Sequence, residues 1–200
     1  MYSPSINNLI SQFKRLPSVG QRSAERFVFC LLKSGKKDVN ELREALNSLL
    51  TNTKSCEICW NFDDKSPCHI CRDLKRDPAV VCVTADPQDI PVIEKTGEFR
   101  GTYHVLRGLF EMGDEMSSLK KIKLRELLTR LKTGKVKEII LALNPDMPGE
   151  TTMLFLEREI KKHFSTIKIT RLARGLPMGS DIQYADEITL GSAFKNRIRK

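Results

Sequence analysis

Two hundred residues, 40% hydrophobic and 30% charged with a single Trp, describe a globular chain of one large domain or two to three small ones. No run of about 18 apolar residues occurs, which excludes a transmembrane helix, and the start MYSPSINNLISQFKRLP lacks the apolar stretch of a secretory signal. The formal charge of +9 favours polyanionic partners, nucleic acid above all, although it also suits simple solubility. A cytoplasmic protein is the expectation, and disulfides are disfavoured there.

Ile6, Leu9, Ile10 and Phe13 follow helical spacing, and LPSVGQ breaks the pattern with Pro17 and Gly20. A second helix fits RSAERFVFCLLK, with Ala24, Phe27, Val28, Leu31 and Leu32 as its apolar face. After the turn SGKKD, residues 39–50 predict a third helix carrying Leu42, Leu46 and Leu49. A polar, loop-like, cysteine-rich segment follows. From about residue 78, AVVCVT, YHVL, EIILAL and IKITRLA read as buried strands, with helices expected over 119–132 and 150–163. That alternation predicts an α/β domain with a parallel sheet.

The charge is concentrated. Residues 14–37 hold Lys14, Arg15, Arg22, Arg26, Lys33, Lys36 and Lys37 against the single Glu25. A second basic segment runs from Lys120 to Lys137 with Glu126 as its only acid.

Cys56, Cys59, Cys68 and Cys71 are spaced as two Cys-x2-Cys knuckles separated by eight residues. Each knuckle presents two thiolates to one ion, and two knuckles complete a tetrahedron. Four thiolates leave no open coordination position, so one structural zinc per chain is expected. A thioredoxin-like redox pair needs only one knuckle beside a βαβ unit, and paired knuckles this close suit zinc better than an iron–sulfur cluster. Cys30 and Cys82 lie within apolar runs and are expected in the core.

In LPSVGQRSAER a Pro turn and Gly20 lead into a helix with Arg22 and Arg26 in its first turns. Backbone N–H groups at a helix N-terminus hold phosphate oxygens, and these arginines flank the same path. The same residues also suit an ordinary helical corner with solvated arginines.

This stretch resembles the helix-hairpin-helix of the RecR recombination-mediator family. The resemblance continues, in family order, through the four cysteines, IEKTGEFRGTYHVLRG, LALNPDMPGETT and TRLARGLPMGSDIQYADEITL. It implies a helix-hairpin-helix over 1–53, a four-cysteine zinc module over 54–77, a Toprim α/β domain over 78–174 and a C-terminal, Walker B-like segment over 175–200. It also implies ring-like homotetramers that encircle DNA and act with RecO and RecF to load RecA on gapped DNA. Ser18, Val19, Gly20, Arg22 and Arg26 would touch DNA. The hairpin usually reads Gly-hydrophobic-Gly, and Ser18 makes a left-handed backbone costlier.

Catalytic Toprim domains carry a glutamate after the first strand and Asp-x-Asp after a later one, for acid–base chemistry and magnesium. Here those positions read Ala85 and Asn144-x-Asp146, and Pro148 replaces a further acid. Asp86, Asp146 and Glu150 are candidates for a vestigial acidic site, with Asp89 nearby; turn and helix-start roles are the favoured reading of all four over magnesium binding. The segment after Arg174 is expected to be a strand and turn with bends at Gly175 and Gly179, placing Asp181, Tyr184 and Asp186 at an interface or on its own sheet. No Walker A sequence accompanies it.

The leading expectation is a non-enzymatic DNA-binding scaffold for recombinational DNA repair, with zinc fixing the linker between hairpin and α/β domain. A magnesium-dependent Toprim phosphoryl transferase or nuclease is the alternative, and a zinc-stapled RNA-binding module a third.

Overall fold

The computed structural model describes residues 2–110 and 122–197. Its fold is mixed α/β, in two compact units, Met1–Thr53 and Lys54–Lys200.

The first unit holds three helices, α1 (Pro4–Phe13), α2 (Gln21–Ser34) and α3 (Lys36–Asn52). Ser3 caps α1 by accepting from the Ile6 amide at 3.4 Å, and Pro4 suits a first helical position because its missing N–H would have no partner there. Ile10, Ala24 and Val28 form a small core, with Ile6, Phe13 and Val19 packed on it. The turn expected over SGKKD shrinks to Gly35, whose positive φ of 92° lets α2 end and α3 begin at once. No residue of α3 is buried. Leu42, Leu46 and Leu49 keep helical spacing, yet all three are exposed. Cys30, expected in a core, is exposed as well, because the small α1–α2 seam covers only the Ala24–Val28 stripe of its helix.

The second unit starts with a short antiparallel pair, β1 (Lys54–Ser55) and β2 (Phe62–Asp63), and a single helical turn, α4 (His69–Arg72). The main sheet follows: β3 (Asp77–Thr84), β4 (Gly101–Val105), β5 (Glu138–Ala142) and β6 (Lys168–Arg171), parallel throughout in the order β4-β3-β5-β6. Helices α5 (Asp89–Glu94), α6 (Leu124–Leu131) and α7 (Met147–His163) make the crossovers. The helix expected over 119–132 therefore begins at Leu124 among described residues, and its first positions, with Lys120 and Lys121, lie outside them.

Alternation along the strands sends two sets of side chains to opposite faces. Val81, Val83, Ile139 and Leu141 meet Leu127 and Leu131 of α6 and Leu156 and Ile160 of α7. Cys82, Tyr103, Val105 and Ala142 pack with Ile90 of α5 and with Cys56, Cys59 and Cys68. Cys82 is buried, as its apolar run implied, and desolvation pushes its thiol up to about 12.

Beyond β6 the chain departs from the expected strand and turn. A 3₁₀ turn (Ile182–Tyr184) leads into α8 (Glu187–Lys195), capped by Asp186, whose carboxylate accepts from the Thr189 amide at 2.8 Å. The sequence DEITLGSAF supplies a cap and a helical first turn, so local capping outweighs the β-branched residues. Ile182, Tyr184, Ile188 and Phe194 are exposed.

His104 is fully buried on β4 and meets the Lys123 carbonyl through Nε2 at 2.8 Å. Burial, with the Arg130 charge nearby, lowers its pKa from 6.5 to about 4. The imidazole is thus neutral when folded but charges in the unfolded chain below about pH 6.5, so its contribution is complete above that value and drains away as pH falls toward 4. Between pH 7 and 5 this group alone should remove about 2 kcal/mol of stability. Denaturant titrations at the two pH values should show that loss diminished in His104→Gln.

Candidate zinc centre and nucleic-acid interface

The first Cys-x2-Cys knuckle closes after β1, where the Cys56 amide donates to the Asn61 carbonyl at 2.8 Å and the Trp60 amide to the Cys56 carbonyl at 2.9 Å. Trp60 sits at φ 66°, the left-handed turn that brings the chain back. The second knuckle is the start of α4. Asp63 caps it, its carboxylate accepting from the His69 amide at 2.9 Å and contacting the ring Nδ1 at 2.7 Å. These bonds to His69, backbone first, hold the Asp63 carboxyl down at about 2.

The four sulfurs converge. Their ligand atoms lie within 4.8 Å of one another, the one such cluster of three or more among the described residues. Cys59 Sγ and Cys68 Sγ are 3.5 Å apart, near the roughly 3.8 Å edge of a tetrahedron with Zn–S bonds of about 2.3 Å. The Cys68 amide donates to Cys56 Sγ at 3.3 Å, a bond suited to a thiolate. Hydrogen bonds from Cys59 and then Cys71 pull the Cys68 thiol down, while the bond to Cys68 pushes Cys59 up and bonds to Cys59 and then Cys68 push Cys71 up. Four thiolates this close repel one another, and a divalent cation lets all four ionise. The donor set fits one zinc ion with a closed shell.

Arg107, to which no sequence pattern pointed, fastens this module to the sheet. Its guanidinium donates through Nε to the Trp60 carbonyl at 2.9 Å and through Nη2 to Ser55 Oγ at 2.9 Å, and lies 4.0 Å over the Phe62 ring. Lys123 Nζ stands 4.1 Å from the centre of the Trp60 ring. The Val105 amide donates to the Cys59 carbonyl at 2.8 Å. Within YHVLRG nothing local distinguishes Arg107 from a solvated arginine.

In the first unit, Ser18 adopts φ 64°, so the turn keeps its left-handed backbone without glycine at that position. Val19 is half-buried against the α1–α2 core. Gly20 is the N-cap of α2 with no side-chain cap bond and no acid in the first turn, leaving that end electropositive. Arg22 and Arg26 are exposed, one turn apart, and neither pairs with an acid among the described residues. Glu25, between them, is bound by Gln21 Nε2 at 2.6 Å instead.

The candidate acids sit at the C-terminal ends of β3 and β5 but do not assemble into a three-ligand cluster among the described residues. Asp146 is the N-cap of α7, its carboxylate accepting from the Gly149 amide at 2.8 Å. A Cβ at Gly149 would collide with the Asn144 carbonyl oxygen, so glycine is required for that cap to close. Glu150 is clamped by Arg171 at 3.1 Å and by Arg174. Asp86 is exposed, and its amide donates to the Asp89 carboxylate at 3.0 Å. Ala85 is buried in the sheet core.

Comparison with protein families matches residues 6–50 to the RecR helix-hairpin-helix, 53–73 to the RecR four-cysteine zinc finger domain, 79–173 to the Toprim domain and 175–198 to the RecR C-terminal region. The chain is 45% identical over 197 residues to the recombination protein RecR of Streptomyces coelicolor, covering 98% of each. It is 42% identical over 201 residues to that of Paenarthrobacter aurescens and 43% over 198 residues to that of Moorella thermoacetica, again with 98% of each chain covered.

Replacing Cys56 or Cys71 by Ser should abolish stoichiometric zinc and lower the melting temperature by several degrees or more. Metal content by atomic absorption and the emission of Trp60, the only tryptophan, read both outcomes. Retained zinc with unchanged emission would contradict the assignment.

Proposed function

The chain belongs to the RecR family of recombination proteins, and from that premise we propose that it is a DNA-binding, non-enzymatic scaffold of recombinational repair that acts with RecO and RecF in loading RecA. The observation that carries DNA contact is the α1–α2 hairpin. It combines a helix N-terminus without a side-chain cap and a left-handed Ser18 with exposed Arg22 and Arg26, unpaired among the described residues. Such a turn holds phosphate through backbone N–H groups and flanking guanidinium charge, without reading base edges. Binding is then tolerant of sequence and steeply dependent on salt.

A scaffold reading is also supported by how the acids of the Toprim fold are used. Phosphoryl transfer needs carboxylates free to hold magnesium and one to move a proton. Asp146 caps a helix, Glu150 neutralises two arginines, and Ala85 offers no proton acceptor.

A homotetrameric ring fits the exposed apolar stripe of α3, where Val39, Leu42, Leu46 and Leu49 are uncovered, and the exposed Ile188 and Phe194 of α8. Contiguous apolar surface of this kind marks protein contact, and several hairpins in one ring would share the phosphate load.

Binding of the zinc-loaded protein to labelled gapped DNA should weaken as salt rises, with a log–log slope near −5 if about six phosphates are neutralised. Arg22→Ala with Arg26→Ala should make the slope shallower by about 2, and the strands should stay intact with magnesium present. A flat salt response, or cut strands, would overturn the proposal.

Leu46→Glu with Leu49→Glu should shift the native mass to smaller species while far-UV circular dichroism stays unchanged. An unaltered mass would remove α3 from the assembly surface.

A further inference from the structure

We propose that the N-terminal end of the main sheet is a second DNA phosphate-contact surface, an inference that rests on the DNA-binding reading above. All four parallel strands begin at this end, and every beginning carries an exposed cation. Arg100 immediately precedes β4, Lys75 lies two residues before β3, Lys135 and Lys137 precede β5, and Lys168 opens β6. Lateral hydrogen bonds tie these starts together: the Asp77 amide to the Arg100 carbonyl at 2.9 Å, Lys137 to Ala79 at 2.8 Å, and Lys168 to Lys137 at 2.9 Å. Lys132, the C-cap of α6, joins them.

The row crosses four strands, or about 14 Å at roughly 4.8 Å per strand. That is long enough to meet several successive phosphates of a DNA backbone.

Most of this charge is not consumed within the protein. Among the described residues, Lys75, Arg100, Lys132, Lys135 and Lys137 have no acid within ion-pair distance, and only Lys168 is paired, with Glu138 at 3.1 Å. Asp77 accepts from the Ala79 amide at 2.8 Å rather than from a lysine. Favourable interaction with a helix C-terminus accounts for Lys132. It does not account for the others, which lie on connections into strands. Lys135 and Lys137 flank the buried Val136, so chain alternation turns both away from the core.

The opposite end of the same sheet carries Asp86, Asp89, Asp146 and Glu150. There Glu150 already answers Arg171 and Arg174, so among the described residues what sets the two ends apart is the row of unconsumed cations at the strand starts. Flexible lysines in a row suit a phosphate backbone and offer no base-edge recognition.

The test uses the full, zinc-loaded chain and gapped duplex DNA. The triple variant K135A/K137A/K168A should make the salt slope shallower by about 2 to 3, at about 0.9 for each phosphate no longer neutralised, beyond the change caused by R22A/R26A. In the wild type, bound DNA should protect Lys135, Lys137 and Lys168 from acetylation while leaving Lys65 reactive, a readout that needs no variant to fold. If R22A/R26A flattens the slope but the triple variant does not, and these lysines stay equally reactive, the second surface is overturned and the hairpin stands. Protection by polyglutamate but not by DNA would overturn it too. If the wild type binds no DNA even at low salt, the DNA reading falls and this inference with it.

Discussion

The sulfur cluster is what the second unit depends on. A four-stranded parallel sheet must cover both faces, because its strands are apolar on each side. One face is covered by α6 and α7, and among the described residues the other has the short α5 and the single turn α4. Cys56, Cys59 and Cys68 fill the rest, packing with Cys82, Tyr103 and Val105. The zinc module is thus a metal site and half of a hydrophobic layer at once. Apparent zinc affinities of about 10–16 kcal/mol in small modules exceed what a loop of this length could gain from burying its own side chains. Metal binding therefore becomes folding free energy for the sheet as well as for the knuckles. Arg107, reaching from the end of β4 to Ser55, Trp60 and Phe62, carries that coupling across.

The acids of the Toprim fold are likewise drawn into holding the unit together. A helix N-terminus after β5 places Asp146 where a cap is needed, and Gly149 lets the Asn144 carbonyl approach it. Glu150, one turn into α7, answers Arg171 and Arg174 on the neighbouring β6 and the segment after it. Each of these two carboxylates is a structural partner. The groove of about 900 Å³ beside them is lined by Arg171, Arg174 and residues of α8. Through Glu150, Arg174 ties the start of the C-terminal segment to α7.

Much of this was legible in the residues. Cys-x2-Cys pairs carry their own geometry, so the metal centre followed from spacing alone. The four strands declared themselves as β-branched runs between helical patterns. Three features did not. Cys30 and the leucines of α3 have the periodicity of buried residues, but periodicity reports which face is apolar and not what covers it; among the described residues nothing does. α8 depends on a cap at Asp186 that competes with neighbouring β-branched residues, a balance too fine for pattern alone. The ties of Arg107 and Glu150 join residues 47 and 21 positions apart, and only the folded topology brings them together.

Ser18 shows how far the hairpin tolerates change. A left-handed backbone costs a residue with a Cβ about 1–2 kcal/mol relative to the right-handed basin, and Ser18 nonetheless holds φ 64°. Glycine there would relieve that cost while losing more backbone entropy on folding, about 0.5–1 kcal/mol, which leaves a small net advantage to glycine. The turn is held in place by the Val19 amide, which donates to the Leu16 carbonyl at 3.2 Å, and by the packing of Val19 on the α1–α2 core. The left-handed turn is thus kept by that hydrogen bond and that packing rather than by the side chain at position 18.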